Sequence, residues 1–567
     1  MDAASLSFEL FATCVKVYKL LLQASDMPRT FRYLHVRLRM ERDKLVDWGV
    51  LVDLSEDERT LRSGLHLNRH TVNDALHEIK SALLELTKVV TKHHIELEPT
   101  NDKGEEKVGQ ENVDVTSSST GARLQKKAEA FIENTRRFPR RLRWALSDSK
   151  TFETALSKLT ALNESMSYLF ERHQRERHLQ LQELSFMGIL QANNKLEDLI
   201  ALMGSLGESE HERNSRQLTR FKALHLAVET SQTGKLGISS PGDALLVSSK
   251  LSLKEEGHEG EHGELPARSA GKYEQTPVWI EWKYYEPIDE SDSPPDYVSD
   301  RLSKLARLLR DENKPKECRV PPCLGYIHDE DSYRYGFVFS NLANPTANGL
   351  PSSLYDLLLL TSKPSLTLRL AAARQLATSV WYLHAANWLH KGLRSENISF
   401  MTTSDPIHPS AADIFLTGFE YARPADPSEL TEAPSDNRLH DLYRHPSTQF
   451  DIPRDGRRGF QKVYDIYSLG VVLYEIGMWR PVHAILGVRL EEGIRSAAVK
   501  SARDTLVAAE NLRAIEAEAG AIFATVVHSC LKGDFVSNGE DTQGNVDAEL
   551  QIGFGDAVVR ELNSITI

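Results

Sequence analysis

The chain has 567 residues, 40% of them hydrophobic and 26% charged, with a formal net charge of −13. That length exceeds what one hydrophobic core serves and predicts a multidomain protein. The acidic balance excludes a general nucleic-acid binder, whose footprint is a basic field. The four cysteines, Cys14, Cys318, Cys323 and Cys530, are spaced neither as a disulfide framework nor as a C-x-x-C metal knuckle.

The N-terminus, MDAASLSFELFATCVKVYKLLLQ, carries an acid at position 2 and lysines inside its apolar run, unlike a signal peptide. No run of about 18 consecutive apolar residues occurs, so no membrane span is expected and the expected address is cytoplasmic. Phe8, Phe11, Val15, Tyr18 and Leu22 recur at three- and four-residue steps and give the first helix one apolar face. Leu76, Ile79, Leu83 and Leu86 repeat the pattern, and FRYLHVRLRMERDKLVDWG, KTFETALSKLTALNESMSYLF and RERHLQLQELSFMGILQANNKLEDLIALMGSL are further periodic runs. Residues 1–230 therefore read as an all-α helical bundle. An acidic, Ser/Thr-rich stretch at about 96–121 interrupts it as a disordered loop. The basic run RRFPRRLRW, with Arg136, Arg137, Arg140, Arg141 and Arg143, is either a solvated helix face or a contact for anionic lipid.

Two stretches of this bundle, RLRMERDKLVDWGV and RRLRWALSDSKTFETALSKLTALNESM, resemble the HeLo domain of fungal heterokaryon-incompatibility and prion-inhibition proteins. The resemblance implies a cell-death effector that self-associates and whose N-terminal segment enters the plasma membrane on activation. Here that segment is Phe8, Phe11, Val15, Tyr18 and Leu22 with their neighbours. Glu9, Lys16 and Lys19 favour an interfacial or pore-lining helix over a lone span.

Residues 231–271 read as a linker, after which the texture changes. TPVWIEWKYYE alternates like a strand, VSDRLSKLARLLRD is a helix, CLGYIHDEDSYRYGFVFS is two strands around an acidic turn, and helices dominate from Leu354. In LHKGLRSENISF, His390, Leu393, Glu396 and Asn397 follow the outline of a catalytic loop, and IFLTGFEYARP keeps Phe419. VYDIYSLGVVLYEIGMWRP carries Asp465, Ser468, Gly470 and Glu475 as D-x-x-S-x-G-x-x-x-x-E. Together these segments resemble the protein kinase family over about residues 275–565 and imply an α+β two-lobed fold for residues 272–567.

Phosphoryl transfer in that family uses a glycine-rich loop, a strand lysine paired with a helix glutamate, a catalytic aspartate, and an asparagine and aspartate on magnesium. This sequence has no G-x-G-x-x-G before Val278, where the nearest glycine, Gly271, is isolated, no glutamate in the middle of VSDRLSKLARLLRD, Gly392 for the catalytic aspartate and Gly418 for the magnesium aspartate. The resemblance thus implies a pseudokinase, in which any residual ATP site rests on Lys283 and Asn397 and magnesium has lost its ligand; no other metal site is expected. Lys283 reads equally as the strand lysine or as a surface lysine, His390 as a structural hydrogen-bonder, and Asp465 as a tie for the loop backbone. Asp413 is the one candidate substitute for the lost metal ligand. The expected function is a regulatory pseudokinase coupled to a cell-death bundle, with an upstream signalling protein, its own copies and anionic membrane as partners. An atypical active kinase and a non-enzymatic scaffold are the alternatives.

Overall fold

The computed structural model describes residues 3–22, 32–51, 69–91, 149–167, 172–207, 210–233, 244–254, 266–286, 294, 296–340, 350–360, 362–400, 414–425, 436–450, 452, 459–535 and 543–565. The acidic stretch 96–121, the basic run around Arg136–Arg143 and Asp413 lie outside the described residues. The chain forms two units, 1–189 with 197–213, and 190–196 with 214–567.

The first unit is helical: α1 (Ala3–Leu22), α2 (Arg32–Leu51), α3 (Arg69–Thr91), α4 (Ser149–Ser167), α5 (Arg172–Ala192) and α6 (Leu196–Ser205). Helix α1 packs on α2 and α3, and α4 closes the bundle against both. Phe11, Val15 and Tyr18 are fully buried, and Leu10, Leu21, Leu38, Trp48, Leu83, Phe152 and Leu159 share their core. Leu22 packs against that core only partly buried, and the backbone of Phe8 lies in α1 ahead of the residues whose side chains are described. Among the described residues, no helix is long and apolar enough to cross a membrane.

Two polar seams fix the bundle's register. Glu41 on α2 accepts hydrogen bonds from Asn163 Nδ2 at 2.7 Å and Thr160 Oγ1 at 3.0 Å, both on α4. Asp47, also on α2 and buried, accepts from Ser185 Oγ of α5 at 3.2 Å. Both are acids that burial would penalise if left unpartnered.

The second unit holds helix α7 (Glu210–Glu229) from Asn214 onward, so the boundary expected at 230 falls earlier. The reason is chemical. Arg220 pairs with Asp311 at 2.7 Å, Glu229 with Lys304 at 3.1 Å, and His225 Nδ1 meets the carbonyl of Ala386 at 3.0 Å with its ring edge-on to Trp388. Lys222, fully enclosed, donates to the carbonyl of Leu190 at 2.7 Å. Burial pushes the His225 imidazole down to about 4, which keeps it neutral.

Beyond α7 a curled antiparallel sheet is ordered β1-β2-β3-β5-β4, with β1 (Leu251–Leu253), β2 (Arg268–Tyr273), β3 (Thr276–Tyr284), β4 (Cys323–Asp329) and β5 (Arg334–Ser340). Its β-branched and aromatic strands alternate, so Val278, Ile280, Trp282, Ile327 and Val338 form one apolar layer. Helix α8 (Asp296–Leu309) lies between β3 and β4 in the chain. Next come α9 (Leu354–Leu360), α10 (Leu366–Ala385), two-stranded β7 (Trp388–Leu389) with β10 (Arg423–Pro424), and three-stranded β6 (Ser352–Ser353), β8 (Ile398–Phe400) and β9 (Ile414–Leu416). Helix α11 (Lys462–Met478) is buried along most of its length, with α12 (Ser496–Leu506), α13 (Ala509–Ala519), α14 (Ala521–Lys532) and α15 (Gln543–Phe554) after it. Gly470 lets α11 approach α14, because a Cβ there would stand 2.7 Å from that of Cys530. The stretch 231–271, expected as a linker, contains β1 and most of β2 and is to that extent part of the sheet.

The buried acid Asp47 generates a pH prediction. Burial raises its pKa from about 4 to about 8, so in that window the folded bundle holds a proton that the unfolded chain has lost. Its contribution is therefore present at pH 4, declines as pH rises to 8 and is flat above. Asp47→Asn is expected to remove this decline, raising the melting temperature relative to the parent at pH 8 and hardly at all at pH 4. Thermal melts at both pH values check it.

Candidate functional site

Strand alternation puts Trp279, Glu281 and Lys283 on the face of β3 opposite the Val278–Ile280–Trp282 layer. In the β2–β3 ladder Arg268 stands directly across from Glu281. The Arg268 guanidinium is ringed by oxygen. It meets Glu281 Oε1 at 3.0 Å, the carbonyl of Glu396 at 2.9 Å, Asn397 Oδ1 at 2.9 Å and Thr417 Oγ1 at 2.8 Å. A planar fork of five donors suits such a ring better than an ammonium. Glu281, buried, turns its carboxylate to the backbone amides of Gly418 at 2.7 Å and Phe419 at 3.3 Å. Burial pushes the Glu281 carboxyl up, and Arg268 with the two amides pulls the other way. The pair thus clamps the sheet to both ends of the motif region, residues 396–397 and 417–419.

The loop below is tied from within. Asp465 Oδ2 and Oδ1 accept the amides of His390 and Lys391, each at 2.8 Å, and Oδ2 also faces His384 Nε2 at 3.3 Å. His390 Nδ1 accepts the Gly392 amide at 3.2 Å, and its ring lies 4.9 Å from that of Phe419. Asn397 is engaged at both ends, donating from Nδ2 to the Gly392 carbonyl at 2.8 Å while Oδ1 takes Arg268. Gly418 sits at φ +79°, and a Cβ there would stand 2.1 Å from Asn397 Nδ2. At Gly392 the nearest atoms to a Cβ are the Gly418 carbonyl at 3.2 Å and Asn397 Nδ2 at 3.3 Å, close but compressible.

Lys283 donates from Nζ to the carbonyl of Glu420 at 2.8 Å and lies 5.3 Å from the Tyr421 ring centre. The side chain of β3 that reaches Gly418 is Glu281, two residues earlier. Arg394 links Glu396 at 2.8 Å and Glu420 at 3.6 Å. Burial would raise the Glu396 carboxyl, but His440 and Arg394 bring it down to about 2. Trp279, fully buried, stacks on Phe339 at 4.6 Å and carries Arg268 at 5.7 Å from its ring centre. Among the described residues no group of three or more His, Cys, Asp and Glu side chains is placed to hold a metal ion.

Sequence reasoning singled out neither Arg268 nor Glu281. Arg268 fell inside the segment read as linker. Glu281 shares the outward parity of Lys283, and the lysine drew the attention. The available signal was hairpin geometry: a turn at Glu274 and Gln275 sets Arg268 opposite Glu281, an opposite-charge cross-strand pair.

Residues 2–202 match the HeLo family, described as prion-inhibition and propagation. A stretch of 126 residues is 29% identical to the MAP kinase-activated protein kinase mak-1 of Caenorhabditis elegans, covering 22% of this chain and 21% of that kinase. The chain thus spans about a fifth of the length of that relative.

Removing Arg268 leaves the buried Glu281 carboxylate without its counter-charge and takes a donor from the Asn397 amide oxygen. Arg268→Ala is expected to cost about 3 kcal/mol, and Arg268→Ala with Glu281→Ala less than the sum of the two single changes. Urea denaturation of the four chains measures that coupling. Gly418→Asp is expected to destabilise as well, through the contact with Asn397 and the left-handed backbone. Asn397→Gly in the same chain should return part of the loss.

Proposed function

We propose that residues 214–567 form a protein kinase-like unit that works without phosphoryl transfer and regulates a HeLo-type cell-death bundle. The observation that carries the reading is the Arg268–Glu281 clamp. Its guanidinium holds Asn397 Oδ1, the atom that would face magnesium, and its carboxylate holds the Gly418 and Phe419 amides. Gly392 and Gly418 offer no carboxylate, and the stacked Trp279 and Phe339 fill the space beside the clamp. The residues present do not fit magnesium nucleotide. Electrostatic positioning provides most of the rate in this chemistry, and two absent carboxylates remove it.

The family match over residues 2–202 supports a role of the fungal cell-death or incompatibility type for the bundle. Burial of Leu10, Phe11, Val15, Tyr18 and Leu21 sets the scale of control. At about 2 kcal/mol for each side chain, drawing α1 out of the core costs on the order of 10 kcal/mol, a barrier that only a specific signal or a membrane surface offsets. In this reading an upstream partner acts on the kinase-like unit, the bundle opens and self-associates, and the α1 face meets anionic lipid at the plasma membrane.

Two experiments test it. Calorimetric titration of the full chain with magnesium-ATP is expected to show no binding, and radiolabelled ATP no transfer. Saturable, magnesium-dependent binding with turnover overturns the pseudokinase half. Dye release from phosphatidylserine vesicles is expected from a chain ending at Arg213 and not from the full chain. Silence from both overturns the effector half.

A further inference from the structure

Residues Ala244–Lys254 cross the outer face of the sheet from edge to edge. At the β4 edge, Leu246 N donates to the Tyr326 carbonyl at 2.7 Å and Tyr326 N to the Ala244 carbonyl at 2.9 Å. Ser248 Oγ then donates to the His328 carbonyl at 3.1 Å. After a single turn at Ser248–Lys250, the same segment becomes β1 and pairs with β2 at the other edge, Leu251 opposite Tyr273 and Leu253 opposite Gly271. Lys254 N adds a bond to the Ala270 carbonyl at 2.9 Å, and Lys250 pairs with Glu274 at 2.7 Å. Leu246 and Leu251 pack on the Val278–Ile280–Trp282 layer. The sheet order puts β1 and β4 at opposite margins, so one eleven-residue strap holds both.

Two glycines make room for it. A Cβ at Gly325, where φ is +148°, would stand 2.3 Å from the Ala244 carbonyl oxygen, and one at Gly271 would stand 2.6 Å from that of Ser252. Neither distance is tolerated by any other residue without moving the strap. Gly271, the nearest glycine ahead of β3, therefore serves a backbone contact with the strap.

We infer that this strap is the control element of the clamp: its seating on β2 sets the grip of Arg268 on residues 396–397 and 417. This rests on the reading of the clamp given above and names its regulation. β2 has β1 on one side and β3 on the other, and Arg268 is its first residue. With the strap unseated, β2 becomes an edge strand held by one neighbour, and an edge strand is the part of a sheet that frays. The strap also precedes β2, which carries Arg268, in the chain and follows the bundle and α7. A partner or a pull acting on it is thus read at Asn397, Gly418 and Phe419. Coupling of this kind is reciprocal: whatever loosens the clamp loosens the strap by the same factor.

Hydrogen exchange on the full chain tests it, with no nucleotide present. Gly325→Val unseats the strap at the margin far from Arg268. The expected result is faster exchange at Leu246 and Lys254 together with at least a roughly fivefold acceleration at Gly418 and Phe419, while α11 keeps its protection. In the reverse direction, Arg268→Ala is expected to accelerate Leu246 and Lys254. Faster exchange in the strap with Gly418 and Phe419 unchanged overturns the inference. Should Gly325→Val also strip protection from α11, the pair Leu246→Ala and Leu251→Ala removes only side-chain packing and decides by the same readout. Nucleotide binding by the parent chain would sink the pseudokinase reading and leave this coupling standing. Unchanged amides would do the opposite.

Discussion

A guanidinium surrounded by a carboxylate, an amide oxygen, a backbone carbonyl and a hydroxyl cannot be withdrawn without leaving each of them short of a partner. That constraint organises the second unit. It fixes the register of β2 on β3, because Arg268 and Glu281 must face each other. It also fixes where residues 417–419 lie, because the Glu281 carboxylate spans two successive amides. Ion pairs buried in this way add little net stability compared with apolar packing, yet breaking one is costly. Their contribution is to exclude other arrangements, and here the excluded arrangement is one with residues 417–419 standing away from the sheet.

Much of the architecture was legible because periodicity reports burial directly. The steps Phe11–Val15–Tyr18 and Leu76–Ile79–Leu83–Leu86 give the inward faces of α1 and α3, all buried. The alternation of VWIEWK and YGFVF gives β3 and β5. What stayed hidden depends on contacts distant in sequence. Nothing near Arg268 announces that it meets Asn397, 129 residues on. Nothing in ALLVSSKLSLK distinguishes a strap from a linker, since its bonds go to backbone at Tyr326 and His328. Residues 210–229 lie inside the stretch that reads as bundle, and the partners Asp311, Lys304 and Ala386 of α7 were not readable, so its allegiance to the second unit came only from geometry.

The buried polar groups follow one rule across both units. Glu41 and Asp47 in the bundle, and Asp465 and Glu281 in the second unit, each accept at least one hydrogen bond from an element other than the one that carries them. An apolar core tolerates sliding of one helix over another by a residue with modest loss; a buried acid facing a single amide or hydroxyl does not. The apolar layers give each unit its cohesion, and these acids give it a unique alignment.

Gly418 limits what its position can accept. With the glycine in place, Asn397 has settled into the volume that a side chain at 418 would need, close enough that even a Cβ would overlap it. An aspartate introduced at 418 is therefore met first by a collision with Asn397, which is itself held by Arg268. A single substitution there displaces the asparagine before it adds a usable carboxylate, so positions 268, 397 and 418 vary as a set.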